Sequence, residues 1–119
     1  MQDDIDKRTE PRIYAGGSVR YKIMDEIEGT LIRGFCTGKI VNISLIGLAM
    51  ESLTRLQRGA VIEIDLNPNK PGKRAVKSAH AVCKVQWQKE VSAGMYETGL
   101  DFIIISEEDI QLIKRFYSL

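Results

Sequence analysis

The sequence predicts an all-β domain: a small antiparallel barrel with one helix at its C-terminal end. Three observations predict it. Short runs rich in Val, Ile and Tyr alternate apolar with polar residues, the period of a half-buried strand. The runs recur at roughly 8–15-residue spacing, broken by Gly, Asn and Pro, with no helical stretch between them to build βαβ units. A single helix signal follows the last run.

Residues 1–12 stand apart as an arm. They carry four acids, three bases and a Pro, with only Met1 and Ile5 apolar, too little to offset the entropy of ordering them. The domain proper is expected over 13–119. In Ser18–Ile23, Val19, Tyr21 and Ile23 share one face. A polar turn at 25–29 leads to a long run over 31–43, with Gly34 or Gly38 as the place for a bend. Residues 47–51 form a short strand. Over 60–66, Val61 and Glu63 point opposite to Ile62 and Ile64. Residues 67–73 are a loop by their Pro, Gly and Asn content.

The longest strand is expected over 75–88. Ala79, Ala81, Cys83, Val85 and Trp87 fall on one face, and His80, Lys84, Gln86 and Gln88 on the other. That parity places Trp87 in the core or at its rim. A last strand covers 96–105. The helix, 106–117, opens on Ser106-Glu107-Glu108-Asp109, a capping box in which the acid reaches back to the first amide. Lys114 and Arg115 suit its C-terminal end. Ile110, Ile113 and Tyr117, flanked by Leu112 and Phe116, give it an apolar stripe.

Composition narrows the function. The chain has 119 residues, a formal net charge of +1, one His and two Cys. The near-neutral balance, with eight Phe, Trp and Tyr not clustered on one face, argues against a nucleic-acid-binding barrel. One His and two Cys cannot supply the usual four ligands of a zinc site, and a serine triad would rest on His80 alone, so neither a metal nor catalysis is expected. The longest apolar stretch, 102–105, is far short of a membrane span, and the acidic N-terminus does not resemble a signal peptide. Cys36 and Cys83 form no CxxC pattern. A disulfide between them is the alternative to the expected pair of buried free thiols in a reducing cytoplasm.

Two motifs carry chemistry. The first is Arg8-Thr9-Glu10-Pro11-Arg12, an Arg-x-x-x-Arg. Pro11 disfavours helix at Glu10, so both guanidinium groups sit on an extended arm. Each offers a fork for phosphate oxygens or a guanine edge, and a flat face that stacks on a base. Alone, the pair reads equally as a solvated tail.

The second is Asn42-Ile43-Ser44-Leu45-Ile46-Gly47, at a junction of two predicted strands. These residues can simply shape a turn. They can also serve a ligand: Asn42 and Ser44, two apart on an extended strand, project to one face. The Asn42 amide can accept from a guanine amine, the Ser44 hydroxyl can donate or accept, and Gly47 leaves room for a flat ring.

In this order, the two motifs resemble the signature of the PilZ domain, a bacterial receptor domain for the second messenger cyclic di-GMP. The stretches 37–48 and 99–102 resemble further parts of that family, so the likeness covers nearly the whole chain. The resemblance implies a six-stranded antiparallel β-barrel and an N-terminal strap that closes over the nucleotide. Arg8 and Arg12 would hold phosphates and a guanine, Asn42 and Ser44 the guanine edges, and Gly47 would give clearance. Asn42 stands where the family also uses Asp, and a neutral acceptor implies weaker bonds than a carboxylate. The expectation is a stand-alone cytoplasmic receptor, not an enzyme, with no cofactor and no membrane insertion. It would signal to an effector protein by ordering its arm. The alternative is an adaptor with the same barrel that binds no nucleotide.

Overall fold

The computed structural model describes residues 17–24, 35–66 and 78–119. The expected arm at 1–12, the first part of the expected second strand, the 67–73 loop and the start of the fifth strand lie outside the described residues.

Six strands appear in chain order: β1 (Ser18–Ile23), β2 (Cys36–Ile43), β3 (Gly47–Ser52), β4 (Val61–Leu66), β5 (Ala79–Ser92) and β6 (Met95–Ile104). They close into an antiparallel barrel in the order β1-β2-β3-β6-β5-β4. Closure satisfies both edges of every strand, so a chain this short needs no second sheet. Alternation fills the interior: Val19 and Tyr21, Ile40 and Ile43, Leu48 and Met50, Ile62 and Ile64, Cys83 and Val85, and Leu100 are each 1% exposed or less. Each large aliphatic among them contributes about 1.5–3 kcal/mol by leaving water.

Three expectations about these strands change. β2 breaks its register between Ile40 and Asn42, so the irregularity sits at Val41 rather than at Gly38. β5 runs on to Ser92, making a long hairpin with β6 around Gly94, whose φ of 75° suits only glycine comfortably. β5 also carries bulges, one of them between Val85 and Trp87, where its pairing with β6 skips a residue. That skip inverts the alternation, so Trp87 is 42% exposed instead of sharing the interior with Cys83 and Val85. Gln88 turns toward the barrel end in its place, donating to Thr98 Oγ1 at 2.9 Å and to the Thr54 carbonyl at 3.0 Å.

The helix α1 (Glu107–Tyr117) packs on β5 and buries Leu112, Ile113 and Tyr117, while Ile110 stays half-buried. Leu112, expected on the flank, is in the seam. The cap is half the expected box. Ser106 Oγ accepts from the Asp109 amide at 3.0 Å, but the Asp109 carboxylate takes the Ser106 hydroxyl at 2.7 Å and the His80 amide at 3.2 Å. The acid that was to reach back along the helix instead ties it to β5. Among the described residues, no helix is long and apolar enough to cross a membrane.

Both cysteines are free. Cys83 is buried as expected, but Cys36 is exposed at the start of β2. Burial, with Asp101 nearby, pushes the Cys83 thiol up to about 12, so it is an inert core group.

Candidate functional site

The bulge at Val41 decides what the second motif presents. Ile40 and Ile43 both point inward, fully buried, so Asn42 is carried to the outer face, half-buried and paired with Ala49 of β3. β2 then ends, and residues 44–47 form the hairpin turn. The Ser44 amide donates to the Gly47 carbonyl at 2.9 Å. Ser44 Oγ accepts from the Ile46 amide at 3.2 Å and donates to the Gly47 carbonyl at 3.4 Å. Ser44 is fully buried, so its hydroxyl fixes the turn that orients Asn42.

Gly47 is required by packing rather than by a left-handed backbone, which it does not adopt. A Cβ there would lie 2.1 Å from the Leu100 carbonyl oxygen, so the space next to Gly47 is filled by the backbone of β6. The expected clearance is occupied on that side by the sheet itself. Sequence spacing does not reveal this, because Leu100 is far from Gly47 along the chain.

Following the register across the sheet from Asn42 gives Ala49, then Gly99, then Trp87. This row crosses three strand steps, about 14 Å at ~4.8 Å per step. Its middle members are the two smallest residues. At Gly99 a Cβ would come within 2.2 Å of Trp87 Nε1 and 2.3 Å of Cε2. The indole therefore lies over the glycine, with much of its surface open to solvent. The Lys89 ammonium stands 5.9 Å from the ring centroid. Charged residues flank the row on both sides: Glu51, Glu97 and Lys89 in one register line, Asp101 and Lys84 in another.

Ala49, Gly99 and the outward Trp87 were not predicted as part of the site. Trp87 followed the interior parity of Cys83 and Val85, and a bulge leaves no sequence signal of its own. The structure brings Asn42, Ser44 and Gly47 together at one hairpin end, but Asn42 and Ser44 do not share an accessible face as expected, because Ser44 is fully buried with its hydroxyl bonded inside the turn. Arg8 and Arg12 lie outside the described residues.

A family model, "PilZ domain", matches residues 6–119. No protein of curated function matches the chain. Among solved structures, an inhibitor of motility from Bacillus subtilis (MotI/DgrA) superposes with a TM-score of 0.68 at 16% identity, covering 92% of this chain and 48% of its own. The chain thus spans about half the length of that protein. The PilZ domain of CeSA from a cellulose-synthesizing bacterium superposes with a TM-score of 0.55 at 15% identity, covering 91% and 96%. At these identities the likeness to both is one of fold.

Proposed function

This chain belongs to the PilZ domain family, and we propose that it is a receptor that binds cyclic di-GMP on the outer face of β2, β3 and β6 and passes the signal to a partner protein. The observation that carries the reading is the row Asn42, Ala49, Gly99, Trp87 beside the Ser44–Gly47 turn. A polar side chain stands at one end and an exposed indole at the other, and the two small residues between them, Ala49 and Gly99, are themselves buried, so a flat purine would be met by the two ends of the row, Asn42 and Trp87. Family membership and the intact Arg8/Arg12 and Asn42/Ser44/Gly47 signature support the same reading.

In this mechanism Arg8 and Arg12 meet the phosphates with charge-assisted bonds and stack on a guanine, whose edge donates to the Asn42 amide oxygen. Ser44 acts mainly through the turn, which holds Asn42 in place. Ligand binding orders the arm against the barrel, and a partner reads the changed surface. The non-binding adaptor is favoured by one fact: Ser44 and Gly47 have structural roles without any ligand. Isothermal titration of the protein with cyclic di-GMP decides. Saturable heat supports the receptor; no heat at tens of micromolar (a usual detection range for so charged a site) leaves the adaptor.

A further inference from the structure

Beside the row described above, a groove of about 620 Å³ opens between β5 and the loop that joins β3 to β4. Arg55, Arg58, Gln86 and Trp87 are among its walls, and none of the described residues that line it is acidic. The loop is unusually well held for a surface connection. The Gly59 amide donates to the Val85 carbonyl at 2.8 Å, and the Val85 amide donates to the Ala60 carbonyl at 2.8 Å. The Leu56 amide donates to Gln88 Oε1 at 3.0 Å, and Thr54 bonds the Tyr21 hydroxyl. Leu56 itself is 6% exposed and plugs the core. Arg55 and Arg58 flank this anchor, and both are exposed.

These contacts fix the loop and leave its two cations outward. Among the described residues, neither Arg55 nor Arg58 has an ion-pair partner. We propose that this groove docks an acidic segment of a partner protein, with Arg55 and Arg58 pairing its carboxylates and Trp87 supplying an apolar wall.

Charge complementarity selects the occupant. Two guanidinium groups with no ion-pair partner among the described residues attract carboxylates, and Arg and Trp are both enriched among the residues that dominate binding at protein interfaces. This docking goes beyond the nucleotide reading and does not require it, although Trp87 borders both surfaces.

The test is fluorescence anisotropy, without nucleotide, using a fluorescein-labelled peptide in which Asp and Glu alternate with Leu and Phe. Its Asn/Gln isostere serves as control. The acidic peptide is expected to bind and the isostere to bind more weakly. The Arg55→Glu, Arg58→Glu double variant is expected to weaken binding by about tenfold or more, since two attractions become repulsions, with an unchanged melting temperature. Arg55→Lys, Arg58→Lys should retain most of the binding. The proposal is overturned by no binding at millimolar peptide, by equal binding of the isostere, or by a double-Glu variant that binds as wild type. Self-association of the peptide-free protein that the double-Glu variant abolishes would also overturn it, by making a second copy the occupant. Loss of cyclic di-GMP binding would leave this result untouched.

Discussion

Two glycines in neighbouring strands test the packing beneath the site, because almost the same steric violation falls on different atoms. A Cβ at position 47 would sit 2.1 Å from the Leu100 carbonyl oxygen, and one at position 99 would sit 2.2 Å from Trp87 Nε1. Both fall more than an ångström short of ordinary contact. In Gly47→Ala the obstacle is backbone, so β3 and β6 must separate. That strains the Phe102 amide to Ile46 carbonyl bond and the Ser44 amide to Gly47 carbonyl bond, each 2.9 Å. Two such bonds at about 1 kcal/mol each, with loosened packing at Leu48 and Leu100, give a loss of about 3 kcal/mol. At about 4 °C per kcal/mol for a domain of this size, melting falls by about 12 °C. In Gly99→Ala the obstacle is an exposed indole that can swing away, for about 1 kcal/mol and about 4 °C. Circular dichroism melts of the two variants check this. A Gly47→Ala variant within about 3 °C of wild type, or one more stable than Gly99→Ala, would refute the reasoning.

Further outcomes follow from the same structure. Arg8→Ala and Arg12→Ala should each weaken cyclic di-GMP binding by about 10- to 150-fold, the worth of a hydrogen bond to a charged group, with unchanged melting; calorimetry measures both. Asp109→Ala should cost about 1–2 kcal/mol in urea unfolding, because one carboxylate serves the helix cap and the His80 amide together. Cys83 and Tyr117 are each raised by burial, from 9.0 and 10.0 respectively to about 12. Both stay protonated when folded at pH values where the unfolded chain loses those protons. Stability is therefore expected to be level in this respect below pH 9 and to fall as pH rises through 9 to 12, seen as a declining urea midpoint that Cys83→Ala flattens in part. At pH 8, a thiol reagent should modify Cys36 in the native protein and reach Cys83 only on unfolding.

The strands were legible where one rule acted alone. Ser18–Ile23 and Val61–Leu66 alternate cleanly, because each has one buried face and no irregularity, and their inward residues are those the period selects. What escaped the sequence was every place where the count of two breaks. The bulges at Val41 and between Val85 and Trp87 reassign the faces of Asn42 and Trp87, yet no residue type announces them. Asp109 illustrates a second limit: its spacing from Ser106 fits a local box, but a tertiary donor, the His80 amide, competes for the carboxylate. The motif residues were visible as a pattern. That Ser44 serves the turn and Gly47 the approach of β6 depends on long-range neighbours and could only be seen in three dimensions.

Cyclic di-GMP bound, as proposed, along the row from Asn42 to Trp87 must alter the surroundings of the indole. Trp87 is the only tryptophan in the chain, so its emission reports on one end of that row without labelling. Titration with cyclic di-GMP should change the intensity and saturate at the concentration where calorimetric heat saturates, and Arg12→Ala should shift both curves together. Full calorimetric binding with no change in Trp87 emission would contradict the placement.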